Sequence, residues 1–333
     1  MMDNTSWRFS RSRKKSKELV KGTVDIHVHA GPHHVSSPRS VNPVEAAIEA
    51  KEAGMRGIVF MDVINMSVGT AAIVNQVVEG FTTYGGIILN TAYGGMNPRA
   101  VKNAVTYGSG ARFVSFGAHS TYYTAYKEGR YENGKWIVLR EKYPKFAEEE
   151  LSRCIRIPQG KPGPELTEIL EVIVANPQIY LVTGHVSNEE AFRLIELSKE
   201  FGIKKVVVSH PVIQNMSDVE IEKVVASGAY AEVALAAYTQ TGTIPKTHYY
   251  AEEEYRSRNK GRANTGVAGV ATQIKKFGAE QFIIVTDFGV YTLPRPVEGM
   301  REFIACLLDM GLSEEEIPTV SSTNPGRLLG LND

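Results

Sequence analysis

The chain is poor in cysteine, carries no net charge and has no long apolar run. Its two cysteines, Cys154 and Cys306, lie far apart and in no paired motif, so we expect no disulfide framework and a reducing cytoplasm. The 37 basic and 37 acidic residues balance, so no overall field favours nucleic acid or a membrane surface. No run of about 18 apolar residues occurs, and no apolar stretch behind the N-terminus is long enough for a signal peptide. A cytoplasmic protein without nucleic-acid or membrane partners is predicted, and a homo-oligomer stays open.

The charge is nevertheless uneven along the 333 residues. Residues 1–21 contain seven Lys or Arg against Asp3 and Glu18, and we expect a basic, solvated and partly ordered N-terminal leader there. A nucleic-acid arm is the less favoured alternative. The whole chain is 43% hydrophobic and 22% charged, a composition that lets it build one large core. A single domain is therefore predicted over residues 22–333.

Short β-branched runs alternate with longer amphipathic runs almost throughout. The predicted strands are Val24–His29, Gly57–Met61, Gly86–Asn90, Arg112–Phe116, Ile179–Val182, Lys205–Val208, Ala229–Val233 and Phe282–Thr286. The predicted helices are Pro43–Ala53, Ala71–Gly80, Pro98–Tyr107, Glu165–Ala175, Asn188–Phe201, Ser217–Ala226, Gly266–Phe277 and Pro296–Met310. Eight such β-α units predict an α/β fold, a closed (β/α)₈ TIM barrel. A doubly wound open sheet is the alternative, although no Gly-rich dinucleotide motif follows the first strand.

Two segments exceed ordinary loop length, one after the fourth strand and one after the seventh. They cover about residues 118–164 and 234–265. Asn133–Gly134 in the first indicates a hairpin turn. Because both follow strands, both are expected on the face of the barrel where active sites are assembled.

The segment "VDIHVHAG", residues 24–31, places two histidines two positions apart in an apolar run. In a regular strand His27, His29 and Asp25 share one face, and the valines and isoleucine share the other. Two neighbouring buried imidazoles need polar partners, and a shared cation would satisfy both. Taken alone, this pair does not distinguish metal ligands from hydrogen-bonded structural histidines.

Further polar side chains fall at or just past the ends of other predicted strands. They are His119 after the fourth, His185 after the fifth, His210 after the sixth and Asp287 after the eighth. In a barrel these ends converge on one bowl, so residues distant in sequence meet in space. Neutral imidazoles with a carboxylate suit zinc and related divalent ions. As a set, these residues therefore predict a metal site.

This arrangement resembles the amidohydrolase superfamily of metal-dependent hydrolases, over nearly the whole barrel from Val24 to Leu331. "TGHVSNEEAFRLIELSKEFGIKKVVVSHP" (Thr183–Pro211) looks similar to the paired fifth and sixth strands of these enzymes, and "NPGRLLGL" (Asn324–Leu331) to their C-terminal segment. The chain looks like an uncharacterised branch. The resemblance implies a divalent metal, zinc above all, as cofactor.

Carried onto this sequence, the resemblance implies that His27, His29 and Asp287 bind the more buried metal position. His185 and His210 would hold a second ion, or one of them would complete a mononuclear site. Binuclear members supply a Lys or Glu at the end of the fourth strand, and "RFVSFGAHS" has neither. His119 would take that place, or Ser115 would line it without binding metal, so one or two ions remain open.

The predicted activity is hydrolysis of a C–N, C–O or P–O bond of a small molecule by a metal-activated water. Asp287 and His210 are the predicted catalytic residues: Asp287 accepts the proton of the water, and a histidine free of metal stabilises the developing oxyanion. A mononuclear non-oxidative decarboxylase of the same superfamily is the alternative, and a non-catalytic binding or assembly protein is less favoured.

The loop after the first strand, "GPHHVSSPR", supplies candidate substrate contacts. Arg39 is suited to bidentate capture of a carboxylate or phosphate, and His33 is a second candidate, with His34 beside it. Glu232 lies within the seventh predicted strand, where an inward carboxylate needs a partner.

Overall fold

The computed structural model describes residues 5–33, 38–132, 135–211, 216–238 and 266–331. Eight parallel strands form one sheet, in which neighbouring strands follow one another in chain order, and two further strands, β5 Gly129–Glu132 and β6 Lys135–Val138, form a separate antiparallel hairpin. The sheet strands are β1 Val24–Val28, β2 Gly57–Phe60, β3 Thr83–Ile88, β4 Ala111–Ser115, β7 Tyr180–Val182, β8 Val206–Val208, β9 Tyr230–Ala234 and β10 Phe282–Val285.

The sheet closes between its first and last strands. The N–H of Asp287 donates to the carbonyl of His27 at 2.9 Å, and the N–H of His29 donates to the carbonyl of Phe288 at 2.8 Å. Phe288 also forms a parallel bridge with Val28. The predicted (β/α)₈ TIM barrel is confirmed, and the open sheet is excluded because both edges of the sheet are paired.

Helices between the strands cover the outside of the barrel. In the described part of the chain, they are α2 Pro43–Glu52, α3 Ser67–Val77, α4 Pro98–Thr106, α8 Pro164–Val174, α9 Asn188–Phe201, α10 Asp218–Ala226, α11 Val267–Phe277 and α12 Pro296–Asp309. Ser187 and Ser217 cap α9 and α10, each in a reciprocal pair with the Glu three residues later. The chain ends with α13 Glu316–Pro318, a π-helical turn Thr319–Thr323 and α14 Asn324–Leu329.

Most predicted boundaries are within two residues, but β3 and α3 begin earlier than predicted. Gly85 and Gly86 are inside β3, where an added Cβ would come within 2.4 Å of the Ser67 and Phe113 carbonyl oxygens, respectively. The Ser67 hydroxyl donates to the carbonyl of Phe60 and accepts from the N–H of Gly86. These glycines therefore allow neighbouring segments to pack closely against β3. In the sequence alone, the same glycines indicate the start of a strand rather than its interior.

β1 contains a bulge. Asp25 pairs with Ile58 and Val28 pairs with Phe60, so β1 advances three residues while β2 advances two. An extra residue of this kind interrupts the alternation of side chains between the two faces of a strand.

The bulge changes which side chains share a face. Val24 and Ile26 pack in the cluster inside the barrel, whereas Val28 packs in the cluster between the sheet and the helices. The predicted common face of these three residues is therefore wrong. His27 and His29 still share a face, because both line the cavity at the carboxyl end of the barrel.

The basic N-terminal segment differs from the solvated leader expected from sequence. Thr5–Leu19 form helix α1, which packs against α12. Ser12 donates to Asp309 at 2.6 Å, Arg13 pairs with Glu302 at 3.0 Å, and Val20 is fully buried. Two basic side chains, Arg13 and Lys15, find acidic partners in Glu302 and Glu314, which the segment's own composition does not show.

The first insertion forms a small substructure over the β4 end of the barrel. It consists of α5 Tyr122–Lys127, the hairpin β5 Gly129–Glu132 with β6 Lys135–Val138, α6 Leu139–Lys142 and α7 Pro144–Arg153. The predicted turn Asn133–Gly134 lies outside the described residues, as do His34 and residues 239–265 of the second insertion. Among the described residues, no helix is both long and apolar enough to cross a membrane.

Candidate metal centre

The predicted site residues converge on one cavity of about 460 Å³ at the carboxyl ends of the strands. Its floor is formed by residues from β1 and by the residues that follow β7, β8 and β10. Its lining includes every sequence-predicted site residue: His27, His29, His33, Arg39, His119, His185, His210 and Asp287. The barrel topology therefore brings together side chains separated by up to 260 positions in sequence.

Three of these residues form a compact group of ligand atoms. His27, His210 and Asp287 each offer one atom, and these atoms all lie within 4.8 Å of one another. The His27 Nε2 atom is 3.4 Å from Asp287 Oδ1, and the His210 Nε2 atom is 4.0 Å from Asp287 Oδ2. Two imidazole nitrogens and a carboxylate facing a common point are a donor set that suits a divalent transition metal.

The backbone is strained at two of these three residues. His210 and Asp287 are the non-glycine residues recorded with positive φ in the described chain, at 48° and 55°. This left-handed conformation costs about 1 kcal/mol or more for a side chain with a Cβ. Each residue lies two positions after the last residue of a strand, and both line the cavity. Strain confined to the cluster indicates that its geometry serves a function.

Glu232 lies beside the three-residue group, and its partners are two of the histidines. It is the middle residue of β9 and is fully buried. Its Oε1 atom is 3.1 Å from His27 Nδ1 and 3.8 Å from His210 Nδ1. The two histidines therefore lie between two carboxylates, with Nδ1 towards Glu232 and Nε2 towards Asp287.

These charges act on one another strongly. Burial lowers the pKa of His27, but the carboxylates of Glu232 and Asp287 outweigh it and raise the pKa to about 9. Burial raises the pKa of Asp287, but the three histidines around it hold that pKa well below its usual range. Without a metal, His27 thus carries the positive charge that balances the carboxylates.

His29 and His185 stand beside the three-residue group. His29 Nε2 is 2.8 Å from Asp287 Oδ1, and burial lowers the pKa of His29. The rings of His185 and His210 are 5.1 Å apart, and burial together with the neighbouring histidines lowers the pKa of His185 well below its usual range. Both imidazoles are therefore neutral near pH 7, the form that binds metal.

His185 is held in place by contacts from the first insertion. Its N–H donates to the carbonyl of Gly117 at 3.1 Å, and its carbonyl accepts from the hydroxyls of Thr121 and Thr124. The preceding Gly184 has φ 66°, and a Cβ there would lie 2.2 Å from the Gly117 oxygen. Only glycine fits this contact.

His119 lies at the rim, apart from the three-residue group. Its side chain is 64% exposed, and its Nδ1 atom is 3.6 Å from Glu128 Oε1, which raises the pKa of His119. Ser115, the last residue of β4, is buried and lines the cavity wall. The role of His119 as a metal ligand stays a prediction, with Ser115 occupying the strand end itself.

Arg39 and His33 lie on the side of the cavity formed by the loop after β1. Arg39 is half-buried and forms a backbone bridge with Val290. Burial lowers the pKa of its guanidinium, and the charges of Asp62 and Asp287 raise it. Its position is the one that the substrate prediction requires, although its role remains a prediction.

Asp25 shares the strand of the two histidines but serves a different purpose. Its carboxylate accepts hydrogen bonds from the N–H groups of His27 and Thr286 and from the Thr286 hydroxyl. Burial raises its pKa to about 6. Asp25 therefore ties the bulge in β1 to β10, next to the point where the barrel closes.

The fold defines the class of protein, a (β/α)₈ barrel, which is the fold that the sequence resemblance implied. Similar solved structures include an amidohydrolase from Burkholderia multivorans with bound HEPES (TM-score 0.53, 10% identity, 93% of this chain and 99% of that one). A 2,6-dihydroxybenzoate decarboxylase complexed with 2,6-dihydroxybenzoate has a TM-score of 0.54 at 9% identity, over 93% of this chain and 100% of that one. A triple mutant of an organophosphorus hydrolase from Deinococcus radiodurans has a TM-score of 0.52 at 12% identity, over 95% and 94%.

Within that class, the chain belongs to the family described as "Family of unknown function (DUF6282)", which matches residues 22–232. No curated protein matches the chain. At these identities the solved structures establish the shared fold, and the chemistry has to be argued from the site itself.

Proposed function

We propose that this chain is a metal-dependent hydrolase that attacks a C–N, C–O or P–O bond of a small molecule. The observation that carries the proposal is the group of His27, His210 and Asp287, whose ligand atoms lie within 4.8 Å of one another on the floor of a cavity. Two of the three residues adopt a strained backbone conformation, which a purely structural role does not require.

The donor set fits a single divalent ion such as zinc. His27, His210 and Asp287 would hold it, which leaves the cavity side open to water and substrate. When bound, such an ion would act as a Lewis acid and would lower the pKa of a water molecule towards neutrality. His29 keeps its hydrogen-bonding distance to Asp287 and restrains that carboxylate.

The side chains around the cluster have distinct parts in this reaction. Asp287 has carboxylate oxygens facing the centre of the group, so it can accept the proton of the attacking water and return it to the leaving group. His185 is neutral, lines the cavity and can donate a hydrogen bond to the substrate oxygen that gains negative charge.

The cavity lining favours a small substrate that combines an apolar body with an anionic group. Asp287 is the one carboxylate in the described lining, against Arg39 and the cluster of histidines. Arg39 would bind a carboxylate or phosphate of the substrate, with His33 beside it. The rest of the lining is largely apolar and includes Met61, Val63, Ile88, Val182, Val290 and Leu293.

Metal content and activity test this proposal directly. The protein would be stripped with a chelator, reloaded with zinc, manganese or cobalt, and analysed for metal per chain. We expect about one equivalent of zinc and metal-dependent turnover of at least one member of a panel of anionic esters, lactones, amides and phosphoesters. A protein that binds no metal stoichiometrically would contradict the proposal and favour a binding or assembly role.

Two matched carboxylate variants test whether zinc binding depends on the three-residue group. Asp287→Asn removes the charge that faces His27 and His210, so we expect loss of stoichiometric zinc and of turnover. Asp62→Asn changes a carboxylate that accepts hydrogen bonds from the N–H groups of Ile64 and Asn65 in its own loop. That variant should retain zinc. Equal zinc binding by both variants would contradict the assignment of Asp287.

A mononuclear decarboxylase is the second candidate. Ser115 occupies the end of β4, where a binuclear member would carry Lys or Glu, and this favours one ion. A barrel of similar fold is a 2,6-dihydroxybenzoate decarboxylase. The zinc-loaded protein would be incubated with hydroxybenzoates, and the release of carbon dioxide would be measured. This measurement distinguishes the two reactions, because a hydrolase releases no carbon dioxide from these compounds.

A further inference from the structure

Glu232 is a fully buried carboxylate in the interior of the barrel. Its neighbours in β9, Ala231 and Val233, pack in the cluster between the sheet and the helices, so Glu232 points inwards. A carboxylate without water is costly to bury unless nearby groups compensate its charge. The groups that compensate the charge of Glu232 therefore indicate its role.

Those groups are imidazole nitrogens of the candidate metal centre. Glu232 Oε1 lies at hydrogen-bonding distance, 3.1 Å, from His27 Nδ1, and 3.8 Å from His210 Nδ1. A carboxylate oxygen can only accept, so the nitrogen that faces it carries the proton. The other nitrogen of His27, Nε2, then has its lone pair directed towards Asp287 and the centre of the group.

We propose that Glu232 is a positioning residue of the metal centre, which holds His27 in the Nδ1–H tautomer with Nε2 free to bind the cation. This inference rests on the proposed metal-dependent function. Glu232 reaches the cation only through the histidines, because its Oε1 atom is on the opposite side of the His27 ring from Asp287. The same charge favours the matching orientation of His210, whose Nδ1 also faces Glu232 at a longer distance.

His29 provides an internal comparison. Its Nε2 contacts Asp287 at 2.8 Å, but its Nδ1 is buried and has no hydrogen-bond partner among the described residues. Of the two histidines of "VDIHVHAG", His27 therefore has its Nδ1 atom held by a carboxylate, and His29 does not. Partners of this kind orient metal-bound histidines and strengthen binding, typically by 10–100-fold.

The test uses Glu232→Gln, Glu232→Leu and the control Tyr180→Phe in the full-length protein. Gln retains an uncharged oxygen that can accept from His27, and Leu retains none. Tyr180→Phe removes a buried hydroxyl near Glu232 that has no hydrogen-bond partner among the described residues, so it controls for a change in the barrel interior around Glu232. Zinc affinity would be measured by chelator competition at pH 9.5, where His27 has already lost its proton, so that loss of the Glu232 charge does not change the competition between proton and zinc. Proteins labelled with ¹⁵N-histidine would report the tautomer of His27 by long-range ¹H–¹⁵N NMR in the zinc-loaded state.

We expect zinc affinity to fall by roughly 10–100-fold in Glu232→Leu and by less in Glu232→Gln, and to stay unchanged in Tyr180→Phe. The His27 resonances of the zinc-loaded wild type should show an Nδ1–H tautomer, and Glu232→Leu should lose this uniform pattern. At pH 9.5, where His27 has lost its proton, the melting temperature of the metal-free variants should not fall in parallel with the zinc affinity, because Glu232→Leu then removes a buried charge that has no cationic partner. If Leu prevents folding, Glu232→Gln supplies the same comparison.

The outcomes distinguish the role of Glu232 from the metal-dependent function on which it rests. Wild-type affinity and unchanged His27 resonances in Glu232→Leu would overturn the role of Glu232 and leave the metal enzyme intact. A fall in metal-free stability that accounts for all of the affinity loss would also overturn it, since this is the result of a merely structural carboxylate. A wild type that binds no zinc, manganese or cobalt would overturn both.

Discussion

Metal affinity should rise steeply with pH, because His27 must lose a proton before Nε2 can bind a cation. The carboxylates of Glu232 and Asp287 raise its pKa to about 9 despite burial. At pH 7 this is two units above the solution pH, and each unit corresponds to about 1.4 kcal/mol. Removing the proton at pH 7 therefore costs about 3 kcal/mol, so the apparent zinc affinity should be about 100-fold weaker at pH 7 than on the plateau above pH 9.

The same shift determines how the metal-free protein responds to pH. The pKa of His27 in the folded protein is above its ordinary value of 6.5. Its contribution to stability is fully present below about pH 6.5 and is lost as the pH rises towards 9. Metal-free protein should therefore lose stability across this range, and zinc-loaded protein should be protected because the cation replaces the proton.

The assay is chelator competition for zinc at half-unit steps from pH 6.5 to 9.5, corrected for zinc hydrolysis and for titration of the competitor. We expect one decade of affinity per pH unit up to about 9, followed by a plateau. His119→Gln is the control, because that exposed imidazole pairs with Glu128 outside the three-residue group. An affinity independent of pH, or an unchanged slope in His27→Gln, would refute the reasoning.

Three further predictions concern stability. The pKa of Asp25 is raised to about 6 from 3.8, so the free energy of unfolding decreases as the pH rises through this interval and the buried carboxyl loses its proton. Chemical unfolding of metal-free protein should show the wild type losing about 3 kcal/mol relative to Asp25→Asn. The same dependence of stability on pH in both proteins would contradict this. Gly184→Ala places a Cβ against the Gly117 oxygen, whereas Gly228 has a positive φ but open space around it. We therefore expect Gly184→Ala to lower the free energy of unfolding at least twice as much as Gly228→Ala. Equal losses in thermal unfolding would count against the contact. Val20→Ala should cost about 2 kcal/mol because Val20 is fully buried, and a neutral result would mean that the segment after α1 is not packed in solution.

The barrel and the members of its site were predictable because both are encoded locally. Alternating β-branched runs and amphipathic runs specify strands and helices, and capping residues such as Ser187 and Ser217 mark where helices begin. Once eight parallel strands close into a barrel, their carboxyl ends must converge. His27 and Asp287 therefore had to share a bowl, whatever their separation in sequence.

Other features depend on contacts between distant segments. Gly85 and Gly86 looked like a strand boundary because their local pattern does not show that Ser67 and Phe113 press against them. The basic N-terminal segment looked solvated because its acidic partners, including Glu302, lie nearly 290 residues away.

By itself, the sequence determined the chemistry at the carboxyl end of this barrel: the donor atoms and the strands that carry them. Only the tertiary structure decided how those donors are oriented. The bulge in β1 depends on pairing with β2, the positive φ values at His210 and Asp287 depend on how their strands end, and the partner of Glu232 is 205 residues away. The physical reason is that residue type and periodicity are local, whereas register, strain and hydrogen-bond partners are set by packing between elements.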